Sequence, residues 1–134
     1  IEVLRDYDYV LSPDFSMYTD FPKAMQIYNH YRKHWCAAYM QINGLRVIPT
    51  IAWSDESSFE WCFDGEPVGS VVAVSSVGTQ NSKAKKAAFL RGYEEMMKRL
   101  SPEHVIFFGK VPEELEWDVE KVAAFQERYK KEGI

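Results

Sequence analysis

The stretch WSDESSFEWCFDGEPVGSVVAVSSVG, residues 53–78, decides the fold of this chain. Its second half carries Val71, Val72, Ala73 and Val74, an unbroken apolar run of the kind found in strands covered on both faces. Ahead of that run come a strand end at Trp53, Ser54 and Asp55, a short helix expected from Glu56 to Phe63, and a turn at Asp64, Gly65, Glu66 and Pro67. After it a loop opens at Ser76, Val77 and Gly78. Two buried strands therefore end in small polar residues. In α/β proteins the carboxyl ends of parallel strands share one rim, where loops and helix N-termini gather ligands. The sequence predicts a site on that rim.

Upstream, Arg46 to Ala52 supplies a strand through Val47, Ile48 and Ile51, and Pro49 predicts an edge position or a local bulge because it withholds a ladder hydrogen bond. Before it, Asp20, Pro22 and Asn43-Gly44 bracket a long helix. Ala24, Ile27, Tyr28, Tyr31, Trp35, Ala38, Tyr39 and Ile42 share one stripe of that helix, which predicts that this stripe lies on the sheet. Met25, Cys36 and Met40 fall opposite, either as scatter or as a second strip that meets a partner. A first strand, Tyr9 to Leu11, points its polar end at Asp14 and Ser16. Downstream, Ser82 caps a helix to about Leu100 with Phe89, Tyr93, Met96, Met97 and Leu100 on one face. His104 to Phe108 gives a fourth strand closed by Gly109, and Leu115, Val119, Val122, Phe125 and Tyr129 predict a last helix.

Strand and helix thus alternate four times, with connections that suit crossovers and parallel pairing. The expected fold is α/β: four β-α units in a small open parallel sheet with helices on both faces. The alternative is half of a β/α barrel, completed by a second copy or a further segment, since 134 residues close no eight-stranded barrel alone. Residues 1–134 read as a single domain, and the start at Ile1 instead of Met suggests a fragment of a longer chain.

Composition narrows the function classes. With 20 acidic against 16 basic residues the net charge is -4, and only Lys83, Lys85 and Lys86 cluster, so a duplex nucleic-acid footprint is not expected. No secretory leader or membrane-length apolar run is visible. Cys36 and Cys62 read as reduced packing thiols, which favours the cytoplasm.

On the rim, Asp14 and Asp55 are the candidate catalytic pair, able to serve as general acid and base, though a turn residue and a helix cap explain them somewhat better, since each has a complete structural job. Ser16, Trp53, Ser54, Ser75, Ser76, Gly78 and Lys86 are the candidate ligand-binding residues. Loop amides from Gly78 to Ser82, with Lys86 aimed along the covered face, suit a small anion. His30 and His34 stand at the i, i+4 spacing that lets two imidazoles share a metal, but they lie off the apolar stripe and read as solvated surface histidines, so no metal site is assigned. Nothing in the sequence identifies a cofactor, and neither a nucleophile elbow nor a local triad supports a hydrolase.

The phrases LSPDFSMYTDFP, VIPTIAWSDESSFEWCFDGEPVGSVVAVSSVGT and FLRGYEEMMKRLSPEHVIFFGK resemble the domain-of-unknown-function 4417 family, over about Asp8 to Gly109. The resemblance implies a phage, mobile-element or bacterial setting, and sequence preceding this region in other members. It transfers no catalytic residue. Asp14, Ser16, Trp53, Asp55, Phe63, Asp64 and Gly65 fall within its phrases. Two functions are expected to compete: binding of a small polar or anionic, nucleotide-like ligand at the rim, or a non-enzymatic interaction with a host or phage protein or a second copy. Whether the chain is an enzyme is left open.

Overall fold

The apolar run at residues 71–74 becomes strand β4 (Val71–Ser75), and the computed structural model places it inside a four-stranded parallel sheet in the order β3, β4, β5, β6. Residues 1–115 and 119–122 are described. The other members of the sheet are β3 (Thr50–Ile51), β5 (His104–Phe108) and β6 (Val119–Val122). Val72 faces Val105 and Val74 faces Phe107 across the ladder, and all four keep at most 2% of their exposure. A two-stranded parallel ladder joins β1 (Val10–Leu11) to β2 (Val47–Ile48).

Pro49 explains why one expected strand is two. Having no N–H, it contributes only its carbonyl, which accepts from Ala73 N at 2.9 Å. The chain pairs with β1 before Pro49 and with β4 after it. Ser12 spans the break: its Oγ accepts from Thr50 N, and its carbonyl accepts from Thr50 Oγ1, each at 2.8 Å. The open parallel α/β sheet expected from the sequence forms, and among the described residues it does not close into a barrel. Its strands follow chain order with no reversal.

Helix α2 (Lys83–Leu100) starts where Ser82 Oγ accepts from Lys85 N at 3.2 Å and ends where Ser101 turns into the left-handed region at φ 41°. It buries Phe89, Tyr93, Met96 and Leu100, with Phe89 and Tyr93 ring centroids 5.9 and 6.1 Å from that of Phe107. Each such side chain contributes about 1.5–3 kcal/mol on leaving water. Met97, expected on this face, is 39% exposed.

Three expectations are corrected. The helix expected at 56–63 is a 3-10 segment, Glu56–Glu60, followed by turns, because Ser58 Oγ donates to Asp55 O and accepts from Ser54 N and so ties the chain to a tighter path. The last helix gives way in its described part to a 3-10 turn (Glu113–Leu115) and strand β6, since the open edge of β5 offers Val119–Val122 a ladder. Phe125 and Tyr129 lie outside the described residues. Third, helix α1 (Lys23–Ile42) turns its expected inner stripe outward: Tyr28, Tyr31, Trp35 and Ile42 are 52%, 60%, 57% and 84% exposed, while Gln26, Asn29 and Lys33 are buried.

Candidate functional site

Helix α1 docks through hydrogen bonds. Gln26 Nε2 donates to the carbonyls of Tyr18 and Phe21 at 3.1 and 2.9 Å, and Asn29 Nδ2 donates to Ser16 O at 2.7 Å. Lys33 Nζ donates to Thr50 O at 2.8 Å and closely to the Glu66 carboxylate. Buried polar groups are tolerated when each finds a partner, and here the partners are carbonyls of the irregular segment 16–21, the carbonyl of Thr50 in β3 and the Glu66 carboxylate.

The same side of α1 carries His30 and His34, which the sequence reading placed in solvent. Both are half-buried and face residues 61–66. His30 Nε2 lies 3.0 Å from Asp64 O, its ring stands edge-on to Trp61 at 5.7 Å, and the two imidazoles are 4.5 Å apart. His34 Nε2 approaches Glu66 Oε1 at 3.1 Å, but the ring nitrogen is buried and has no aligned hydrogen-bond partner. Burial pushes the Glu66 carboxyl up, yet His34 and Lys33 outweigh it and hold the group below its ordinary range. Burial, and then the nearby Lys33 charge, hold His30 low.

The outward face of α1 is aromatic. Trp35 and Tyr39 stack with centroids 5.6 Å apart and planes 4° from parallel, and Tyr28 stacks on Tyr31 at 6.4 Å. Arg32 lies over the rings of Phe15 and Tyr28 at 4.1 and 5.1 Å. These side chains border an open hollow of about 300 Å³ lined by Phe15, Tyr28, Tyr31, Arg32, Trp35 and Cys36.

The rim candidates serve mostly internal bonds. Asp55 accepts from Ser57 N at 2.9 Å and Ser57 Oγ at 2.5 Å as an N-cap. Asp14 is exposed, desolvation by neighbouring atoms raises its carboxyl, and Lys33 pulls the other way. No hydrogen bond links Asp14 to Asp55. Trp53 packs among Phe63, Phe89 and Tyr93, at 6.3, 5.2 and 6.5 Å. Ser76 Oγ donates to Lys110 O at 2.7 Å, Ser75 Oγ accepts from Val77 N at 3.4 Å, and Lys86 pairs with Glu114 at 3.1 Å. Ser16 gives its carbonyl to Asn29, and Gly78 adopts φ +76° with open space at its Cα. Ser54 alone of this set has a buried hydroxyl without a partner. Cys36 and Cys62 are free thiols, and burial pushes Cys62 up to about 11.

Sequence reasoning missed the grouping of His30, His34, Lys33 and Glu66. The signal was present in the i, i+4 histidines, but Glu66 comes from a distant turn that only the fold brings across.

The profile of the family described as "Domain of unknown function (DUF4417)" matches residues 1–126, and the chain belongs to that family. It is 45% identical over 101 residues to "Gene 1 protein" of Mycobacterium phage L5, covering 75% of this chain and 44% of that protein. It is 42% identical over 101 residues to "Gene 1 protein" of Mycobacterium phage D29, covering 75% and 37%. The match therefore spans less than half the length of these curated relatives. No solved structure matches the chain. Among the described residues no helix is long and apolar enough to cross a membrane.

Proposed function

We propose that this DUF4417 protein of phage type is an interaction module whose docking surface is the outward aromatic face of α1. One observation carries the reading: α1 is anchored by Gln26, Asn29 and Lys33 and leaves Tyr28, Tyr31, Trp35 and Tyr39 in water. Contiguous exposed apolar side chains mark interaction sites, and Trp, Tyr and Arg are the residues on which interface energy concentrates. The hollow beside Trp35 offers a pocket for an inserted side chain.

The partner is an apolar segment with an acidic rim. Helix α1 contains no Asp or Glu, in a chain whose net charge is -4, and Arg32 is the cation that borders its aromatic stripe, Lys33 being buried against Glu66. That arrangement steers acidic partners and opposes self-pairing of α1 with α1, which would oppose Arg32 to its own copy. The cytoplasmic setting, the single α/β domain and the absence of nucleic-acid binding belong to this reading. A small anion at the rim has less support, because Asp55, Ser75, Ser76 and Lys86 are engaged internally.

The test uses two synthetic amphipathic helical peptides with the same leucine face, one rimmed with glutamate and one with lysine. Backbone amide shifts of the labelled protein should move along residues 28–39 with the acidic peptide only, and should not move in Tyr31→Glu/Trp35→Glu. Equal response to both peptides, no response, or concentration-dependent dimerisation through α1 overturns the acidic-partner reading.

A further inference from the structure

The geometry points to a transition-metal site of zinc type, held by His30, His34 and Glu66 where α1 meets the turn before β4. Each residue offers one donor atom, and the three donors lie within 4.8 Å of one another. A tetrahedral ion with bonds of about 2.0–2.1 Å sets its ligand atoms about 3.3 Å apart. His34 Nε2 and Glu66 Oε1, at 3.1 Å, already stand at that spacing. The third donor, a ring nitrogen of half-buried His30, belongs to the same 4.8 Å group.

A second observation separates this cluster from an ordinary histidine–glutamate contact. His34 Nε2 is buried without an aligned hydrogen bond, although a carboxylate oxygen lies within reach. An ion bound to both atoms would give the buried nitrogen the partner it lacks. Asp64 O, 3.0 Å from His30 Nε2, is the type of backbone partner that fixes the tautomer and orientation of a ligating imidazole.

Donor chemistry selects the metal. Two imidazoles with one carboxylate suit zinc and its first-row neighbours and not calcium or magnesium, which take all-oxygen sets. Three protein ligands leave a fourth position for water or a small anion. Lys33 opposes the ion, because its ammonium holds the same carboxylate. Metal entry therefore loosens the Lys33 contact with Glu66, and affinity is set by that competition.

The experiment is a cobalt(II) titration of the full chain after chelator treatment, followed by visible absorption and then by displacement with zinc. The expected result is uptake of one equivalent with the intense bands of a tetrahedral ion. Affinity should drop at least about tenfold in His30→Gln and in His34→Gln, rise in Lys33→Met, and stay unchanged in Cys36→Ser. Circular dichroism confirms that each variant is folded, and a zinc-dependent rise in the melting temperature of the unmodified chain gives a readout that needs no variant. Absence of saturable one-to-one uptake overturns the proposal, as does full affinity in the His30→Gln/His34→Gln double variant.

Discussion

Lys33 on α1 and Glu66 before β4 form an ion pair whose side chains keep only 6% and 1% of their exposure. Lys33 also donates to Thr50 O, so this one contact ties the helix, the turn and the sheet together. Removing one partner strands a buried charge, at about 3–5 kcal/mol, whereas replacing both with apolar side chains of similar volume is close to neutral. Glu66→Gln should therefore destabilise strongly, and Lys33→Met/Glu66→Leu should recover most of the loss. Urea denaturation measures both; additive losses in the double variant would contradict the pairing.

Acidification should weaken the fold in two stages. His30 is held below its ordinary value of 6.5, so its contribution is complete above that pH and declines as the unfolded chain takes up protons below it. Glu66 is held below its ordinary 4.5, so its contribution persists above that value and is lost as pH falls further. Melting temperatures of metal-free protein from pH 7.5 to 3.5, a range chosen to span about one unit beyond both ordinary values, should fall in both windows. His30→Gln should flatten the upper one.

Trp53 lies over Gly92 of α2 so closely that a Cβ there would stand 2.0 Å from the indole nitrogen. In an open helix Gly→Ala gains up to about 1 kcal/mol, but here overpacking should reverse the sign and cost about 1–3 kcal/mol. Trp53→Ala alone should cost about 3–5 kcal/mol, as loss of a packed aromatic does. In the Trp53→Ala background, Gly92→Ala should become stabilising. A double-mutant cycle by chemical denaturation reads the coupling, and independence of the two sites would refute the contact.

The amides of Val72, Ala73 and Val74 should exchange with solvent only through near-global unfolding, because β4 is paired on both edges and at most 2% exposed at these residues. Native-state hydrogen exchange followed by NMR checks this. Fast exchange across the run would displace β4 from the centre.

The parts of the fold that were legible in the sequence are those where local chemistry and burial agree. Val71–Val74 had no polar position to misread, Ser82 sat before a clean apolar period, and Pro49 marked a broken ladder. Helix α1 was misread because periodicity finds a stripe without saying which side faces in. Its aromatic stripe outweighs its polar one on any hydropathy scale, but Gln26, Asn29 and Lys33 meet carbonyls that only the folded loop and sheet present. Val119 and Val122 satisfy a helical spacing as readily as a strand, and the free edge of β5 decided between them. Of the site, Asp55 was readable as a cap, while the approach of Glu66 to His30 and His34 depends on tertiary placement.

The orientation of α1 is most directly tested by the stability of Tyr31→Glu/Trp35→Glu. Surface substitutions away from special features stay within about 0.5 kcal/mol each, so the double variant should unfold in urea with nearly the midpoint and slope of the parent. A loss of several kcal/mol would mean that the aromatic stripe is core, and would contradict the account.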